Sequence, residues 1–156
     1  MKIKIIALGK IKEKFLKDGI QEFLKRLTPY TTIEIVELSP IEIKDENLIQ
    51  KALEQEGTKI LENIKPNSYV ITLEILGKQL SSEDFAQKIN DITISGISEL
   101  VFVIGSSFGI SPTVSQRANF KLSISKMTFL HQFARLLLVE QIYRAFKILK
   151  NETYHK

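Results

Sequence analysis

Three short segments rich in glycine and small polar residues follow apolar runs, and they are the first places where this sequence could do chemistry. They are Thr72-Leu73-Glu74, Gly105 to Gly109, and Ser123 to Thr128. Ligands of open α/β sheets collect at the carboxyl ends of the strands. Glycine lets the backbone approach a ligand closely, and free backbone amides can receive an anionic or adenine-like group. The pattern therefore predicts a ligand site, although glycines after strands are also common in plain turns.

Several familiar catalytic motifs are absent from the sequence. The glycines at 105 and 109 match neither the Walker A pattern nor GxGxxG, and there is no GxSxG elbow of a serine hydrolase. The chain has no cysteine, which excludes disulfides, thiolate metal ligands and a cysteine nucleophile. His131 and His155 are the two histidines, and neither has a carboxylate at ligand spacing, so we expect no metal site.

Two groups near the C-terminal end carry side chains suited to proton transfer or RNA contacts. His131 and Arg135 lie four residues apart and would share one helix face, where a structural role is as well supported as a catalytic one. Tyr154 and His155 lie in a basic tail. Terminal residues are usually frayed, but such a tail could also fold over a site, stack an aromatic ring on a base and hold phosphate.

Charge is distributed unevenly along the chain. Residues 1–30 carry 8 basic and 3 acidic side chains, and residues 101–156 carry 8 basic and 2 acidic ones. Residues 31–100 carry 6 basic and 13 acidic side chains. Basic ends around an acidic middle indicate a surface that meets a polyanion such as nucleic acid, although solvated helix faces would explain the same division.

Hydrophobic periodicity predicts the elements that position these residues. Apolar alternation or runs predict strands at 2–8, 31–38, 69–75, 100–104 and 120–124. Helical spacing predicts helices at 16–27, at 49–64, after the capping box of Ser81 and Asp84, after Ser111-Pro112, and at 128–150 with Phe133 and Leu137 inside. Five strands alternating with five helices predict an α/β fold of three layers with a mostly parallel sheet.

Length and hydropathy limit the possible settings of the protein. The 156 residues suit one domain with a single core, so we expect one domain over residues 1–156. No apolar run is long enough to cross a bilayer, and the N-terminal residues have a strand pattern rather than that of a signal peptide. By elimination, we expect a cytoplasmic protein.

Motifs along the C-terminal third carry a family resemblance. They are Val103-Ile104-Gly105, Leu122 to Phe129, His131-Gln132, Glu140 to Phe146 and Tyr154-His155-Lys156. In order and spacing they closely resemble the RlmH family, which belongs to the SPOUT class of RNA methyltransferases. The similarity continues upstream through Val70 to Leu73 and Gly77-Lys78, so it spans essentially the whole chain.

The resemblance implies a fold and a reaction that the patterns do not show. It implies a SPOUT-type domain with a C-terminal trefoil knot, which acts as a homodimer with cofactor pockets near the knots. It further implies that S-adenosylmethionine is used to methylate N3 of a pseudouridine in the large-subunit (23S) ribosomal RNA, so we expect the large-subunit RNA of the assembled ribosome as substrate and partner.

The resemblance also assigns candidate site residues. Those expected to bind the cofactor are Leu73, Gly105, Ile124, Ser125, Lys126, Met127, Thr128 and Phe129. They coincide with the three segments that the pattern alone indicates. Tail chemistry and family likeness together suggest His155 as the base or a positioning group, Tyr154 as a stacking residue, Arg144 as a contact to phosphate or base anion, and His131 as second candidate base.

Two residues depart from the family pattern. Ser106 stands where the family generally has a second glycine, and it is tolerated if its φ is negative. Leu130 replaces a proline between Phe129 and His131, which frees the backbone and restores an N–H. Neither change removes an obvious catalytic group.

Two other functions explain parts of the sequence. A non-catalytic ribosome- or RNA-binding α/β protein accounts for the charge pattern but leaves the three ligand-like segments unexplained. A flavodoxin-like nucleotide-binding enzyme accounts for those segments but not for the basic C-terminal end. Binding of S-adenosylhomocysteine would separate both from a methyltransferase.

Overall fold

Five parallel strands form the central sheet of the protein, whose computed structural model describes residues 1–154. The strands are β1 (Lys2–Leu8), β2 (Thr32–Leu38), β3 (Tyr69–Gln79), β4 (Glu99–Ile104) and β5 (Phe120–Ser123). Their order in the sheet is β2-β1-β4-β3-β5, and neighbouring strands pair in parallel. The predicted α/β class with a parallel sheet is confirmed.

Helices cover both faces of this sheet and make the three layers. They are α1 (Lys14–Leu27), α2 (Ile49–Glu62), α3 (Ser82–Ile94), α4 (Pro112–Arg117) and α5 (His131–Leu149). Helix α5 lies between α1 and α3 over the face of the sheet that carries Ile3, Ile71 and Phe102. Helices α2 and α4 cover the other face, which carries Ile6 and Val103. The strands alternate residues between two cores because successive side chains point to opposite faces.

Local polar signals begin two helices as predicted. The Ser81 hydroxyl accepts the amide N–H of Asp84 at 3.0 Å at the start of α3. The Ser111 hydroxyl accepts the amide of Val114 at 3.3 Å, and Pro112 follows as the first residue of α4. These side chains satisfy amides that have no partner inside the helix.

The start of α5 differs from the prediction. The helix begins at His131, three residues after the predicted Thr128, because the Ser125 hydroxyl accepts the Met127 amide at 3.0 Å and holds a turn there. Leu130 is also extended, with ψ 134°. Phe133, predicted inside, lies on the outer face with 37% of its surface exposed, and Leu137 is only partly buried.

Strand β3 is longer than predicted because it contains a bulge. Both Leu73 and Lys78 pair with Leu122 of β5, so the residues between them loop out beyond the sheet. At Gly77 a Cβ atom would lie 2.6 Å from the carbonyl oxygen of Lys121, which explains why glycine occupies this bulge. The bulge lies at the carboxyl edge of the sheet, the edge at which the parallel strands end. The trefoil knot implied by the resemblance stays a prediction.

The opposite edge of the sheet holds a buried polar network. Glu99, 4% exposed, accepts the Ser68 hydroxyl at 2.9 Å and lies 3.7 Å from the Lys4 ammonium. The Lys4 ammonium also donates to the carbonyl of Asn63 at 3.0 Å. Each buried charge has polar partners, as burial requires, and the network is remote from the carboxyl edge.

Candidate functional site

The sheet order brings the three ligand-like segments together at its carboxyl edge. Strand β3 lies between β4 and β5, with Thr72 level with Val103 and Leu73 level with Leu122. The residues that follow, Gly105 after β4 and Ile124 after β5, therefore leave the sheet beside Leu73. Because this edge combines loops with free backbone groups, it is the place where a ligand of an α/β protein is expected.

The glycine loop, residues 105–109, is a tight turn after β4. A Cβ atom at Gly105 would collide with the carbonyl oxygen of Gly109, so only glycine fits the first position. The Ser106 carbonyl accepts the Gly109 amide at 2.9 Å, and Gly109 has φ 97°, which favours glycine. Ser106 keeps a negative φ, so this departure from the family pattern costs no backbone strain.

The segment after β5 is ordered by its own serines. The Ser123 hydroxyl donates to the Ser125 carbonyl at 3.0 Å, and the Ser125 hydroxyl accepts the Met127 amide. These local bonds replace a regular helix with a turn. Leu130 adopts φ −55°, close to the angle to which a proline is fixed, so a proline would fit the backbone at this position.

Most side chains of this segment point into solvent. Met127 is 74% exposed and Phe129 is 42% exposed, and Lys126 and Thr128 are exposed as well. Ile124, 37% exposed, lines a cleft of about 220 Å³ between the N-terminal end of α3 and the middle of α5. Of the predicted cofactor residues, Ile124 lines this cleft, whereas Leu73 and Gly105 lie outside its lining.

Glu74, which belongs to the first ligand-like segment but was assigned no role from the sequence, joins the middle of β3 to α4. The Thr72 hydroxyl donates to Glu74 Oε2 at 2.6 Å. The Ser115 hydroxyl of α4 bonds both oxygens of Glu74, at 3.0 and 3.1 Å. Glu74 therefore fixes the middle of β3, just before the bulge, against α4 on the side of the sheet opposite the cleft.

His131 and Arg135, which lie four residues apart on α5, have different surroundings and different roles. Arg135 is 3% exposed and donates to Glu37 at 2.5 Å and to the carbonyl of Gly9 at 3.0 Å. Within residues 1–154 its Nε has no hydrogen-bond partner. Arg135 thus joins the ends of β1 and β2 to α5, which is the structural role left open by the sequence.

His131 occupies the first turn of α5, close to Gly9 at the end of β1. Burial lowers the pKa of His131 below its usual 6.5, and the nearby Arg135 charge lowers the pKa further. The imidazole is therefore neutral at physiological pH and able to accept a proton. It follows directly on the segment predicted to bind the cofactor.

A left-handed turn folds the chain back after α5. Asn151 has φ 54°, and the amide of Glu152 donates to the Lys147 carbonyl at 2.9 Å, which is the Schellman arrangement. Glu152 Oε2 then accepts the Tyr30 hydroxyl at 2.8 Å and the Lys147 ammonium at 2.7 Å. The hydrogen bonds from Lys147 and Tyr30 lower the pKa of Glu152.

Tyr154 then packs on α5. Its hydroxyl donates to Glu140 Oε1 at 3.0 Å, and its ring meets the ring of Tyr143 edge-on at 4.9 Å. The Arg144 guanidinium lies 4.7 Å from the Tyr154 ring centroid and donates to Glu140 at 2.5 Å. Burial and the bond to Glu140 raise the pKa of Tyr154, so at neutral pH it is a hydrogen-bond donor and not a base.

The predicted catalytic residues thus form two groups in one chain. Tyr154 and Arg144 lie together on α5, whereas His131 is 13 residues earlier, roughly 20 Å along the helix axis. His155 lies outside the described residues. The sequence did not identify Glu140 and Glu152 as the residues that hold the tail, because local pattern does not show which distant residues come into contact.

The described residues show neither a metal centre nor a membrane span. Residues 1–154 contain no group of three or more acidic or histidine side chains arranged to hold a metal ion. No helix in this part of the chain is both long and apolar enough to cross a membrane.

Comparison with known proteins shows the family to which the chain belongs. A family profile described as "Predicted SPOUT methyltransferase" matches residues 1–155, so the chain belongs to the SPOUT methyltransferase family. A protein of Methanococcus maripaludis strain C5 named "Putative ribosomal RNA large subunit methyltransferase H" is 49% identical over 163 residues, which cover 100% of each chain. The family resemblance is confirmed, and an enzyme of this family is favoured over the binding protein and the flavodoxin-like enzyme.

The tail contacts generate a first test. Replacing Glu152 by Gln removes the charge that holds Lys147 and Tyr30, so hydrogen exchange at residues 151–154 should accelerate roughly threefold, as expected for a surface ion pair. The pKa of Glu152 is lower in the folded protein than its usual value of 4.5. In the wild type the tail is therefore fully docked on α5 above pH 4.5, and docking is lost as the pH falls through the pKa that Glu152 has in the folded protein. Asp18→Asn, which breaks the exposed pair with Lys14, is the control. Unchanged exchange in E152Q would show that Glu152 does not dock the tail.

Proposed function

We propose that this protein transfers a methyl group from S-adenosylmethionine to N3 of a pseudouridine in 23S ribosomal RNA, on the assembled ribosome. Membership of a methyltransferase family supports the reaction, and the name of the Methanococcus relative supports the large-subunit RNA. The observation that carries the proposal is the convergence of Leu73, Gly105 and residues 124–129 at one edge of the sheet. The chain acts as one domain over residues 1–156, in the cytoplasm where ribosomes are modified.

The residues of the carboxyl edge fit the methyl donor. The tight turn from Gly105 to Gly109 presents backbone groups at this edge, and the exposed apolar side chains of Ile124, Met127 and Phe129 can cover an adenine ring. When bound, S-adenosylmethionine supplies an electrophilic methyl group on a sulfonium. The protein's task is then to align this group with the target nitrogen and to exclude water.

The target nitrogen loses a proton when it gains the methyl group, so a base is required. His131 is neutral near pH 7 and adjoins the cofactor segment, and these properties suit a base. His155 in the tail, the first candidate from the sequence, is the other residue that could serve as the base. Tyr154 and Arg144 are a hydrogen-bond donor and a cation, which suit contacts to a base edge and to phosphate or a developing anion.

Basic side chains next to the site suit the RNA backbone. Lys10, Lys12, Lys14 and Lys17 are exposed on the β1–α1 connection and on α1. The Lys12 amide donates to the Gln132 side chain at 3.3 Å, so this connection is held against the start of α5. The lysines therefore lie beside the carboxyl edge, where they can meet phosphates.

An apolar surface supports a homodimer. Phe15 is 60% exposed and lies 5.9 Å from Phe133 between ring centroids. Leu130, 70% exposed, and the apolar residues of the cofactor segment extend this patch around the start of α5. Exposed apolar side chains that cluster in this way favour an interface with a second copy of the chain.

The first experiment is transfer of labelled methyl from S-adenosylmethionine to ribosomes that lack the native modification. We expect label in large-subunit RNA, mapped to a pseudouridine, with assembled ribosomes a better substrate than free large subunits. Label on another RNA would contradict the substrate. Absence of both label and S-adenosylhomocysteine binding would contradict the proposed activity.

The second experiment identifies the base from the pH dependence of single-turnover methylation. If His131 is the base, the rate falls as pH drops through its lowered pKa, below 6.5, because protonation removes the acceptor. His131→Gln should then abolish this acid limb and slow the reaction about 100-fold. His155→Gln is the matched comparison. If H155Q loses the limb and H131Q retains it, the assignment moves to the tail.

The third experiment tests the dimer by sedimentation equilibrium. The wild type should have twice the chain mass of 17.8 kDa, and Phe133→Asp should have the single mass because a carboxylate would be buried in the interface. Ile94→Asp changes an apolar residue that is 74% exposed at the end of α3, outside the patch, and should stay dimeric. A monomeric wild type, or a dimeric F133D, would contradict this interface.

A further inference from the structure

A buried carboxylate on α2 connects two loops at the carboxyl edge. Glu56 is 3% exposed. Its Oε1 accepts the Ser106 hydroxyl at 3.1 Å, and its Oε2 accepts the backbone amide of Ile41 at 2.9 Å. Both oxygens are therefore occupied by neutral donors from two different segments, the glycine loop and the connection after β2.

The glycine loop itself is stiff, so its position depends on where it is anchored. Gly105 packs directly on Gly109, and the bond between Ser106 and Gly109 closes the turn. Among residues 1–154, the bond to Glu56 is the side-chain hydrogen bond that ties this turn to a helix. Losing it would let the turn move as a unit without unfolding it.

Helix α2 contacts both the glycine loop and the start of α4. Next to Glu56, Gly57 lies so close to Ser111 that a Cβ there would collide with the serine hydroxyl. The two consecutive residues thus meet the glycine loop and the N-cap of α4. A charged residue on the inward stripe of α2, between Leu53 and Ile60, is the sequence signal that could have indicated this contact.

We propose that Glu56 and Ser106 are positioning residues. Their hydrogen bond holds the glycine loop in the position in which it can bind the methyl donor. The inference rests on the proposed use of Gly105 as part of the cofactor site. The Ser106 hydroxyl points to Glu56 and so turns away from the ligand side of the loop. Ser106, which departs from the family pattern, thereby has a role in this chain. A second glycine would leave the loop without a side-chain hydrogen bond at this position, whereas Ser106 binds the loop to Glu56.

The test compares Ser106→Ala, Ser106→Thr and Ser68→Ala by titration with S-adenosylhomocysteine and by thermal unfolding. S106A removes only the hydroxyl, so we expect its Kd to rise roughly tenfold, the scale of a lost hydrogen bond to a charged group. S106T keeps a hydroxyl and should restore binding to within about twofold, the tolerance of a conservative replacement. S68A removes the equivalent serine bond to buried Glu99 at the far edge, so it should lower the Tm and leave the Kd unchanged.

Kinetics separate positioning from chemistry. At saturating S-adenosylmethionine, S106A should recover most of the wild-type kcat while its KM for the donor is raised, because ground-state and transition-state binding weaken together. A wild-type Kd retained in S106A, or a raised Kd in S68A as well, would overturn the positioning role. If the wild type itself bound no S-adenosylhomocysteine, the proposed function would fail first, which distinguishes the two failures.

A double-mutant cycle checks that the effect passes through Glu56. In the Glu56→Ala background, the further change Ser106→Ala should leave the Kd as it is, because the acceptor is already gone. An additional tenfold loss in that background would show that Ser106 acts independently of Glu56. If E56A does not fold, the Ser106 series alone decides the proposal.

Discussion

The parallel pairing of β3 with both β4 and β5 is the constraint on which the site depends. These strands are far apart in the sequence, yet their hydrogen bonds bring Leu73, Gly105 and Ile124 to one edge. Parallel neighbours end on the same side of a sheet, so the loops after them share one surface. The bulge in β3 and the tight turn at Gly105 then shape that surface with backbone, which leaves room for a ligand.

Helix α5 connects this edge to the C-terminal tail. At its start, the buried Arg135 fastens the helix to Gly9 and Glu37 at the ends of β1 and β2. At its end, the left-handed turn at Asn151 returns the chain so that Tyr154 lies against Glu140. The helix is therefore both the support of the cofactor segment and the platform of the tail, and its outer face carries the apolar patch of the proposed dimer.

Carboxylates position three segments of this basic protein. Glu56 holds the glycine loop, Glu74 holds the middle of β3 on α4, and Glu152 holds the tail on α5. Each accepts hydrogen bonds from more than one donor, so each fixes the relative position of two segments. Acidic side chains here build the framework, whereas the exposed lysines on the β1–α1 connection and on α1 are the groups proposed to meet RNA.

Local sequence patterns correctly predicted the five strands, the five helices and the caps at Ser81 and Ser111. These features follow from local periodicity and from short-range hydrogen bonding, which neighbouring residues largely fix. Two local predictions were wrong. Helix α5 begins later than predicted because a serine turn precedes it, and Phe133, predicted inside, is exposed on the outer face of the helix. Three features depend on how the elements pack together: Arg135 is buried against Glu37, Glu56 accepts the Ser106 hydroxyl, and Tyr154 docks on Glu140. Those contacts join residues 14 to 98 positions apart, and which distant groups meet is set by strand order and helix packing, not by local pattern.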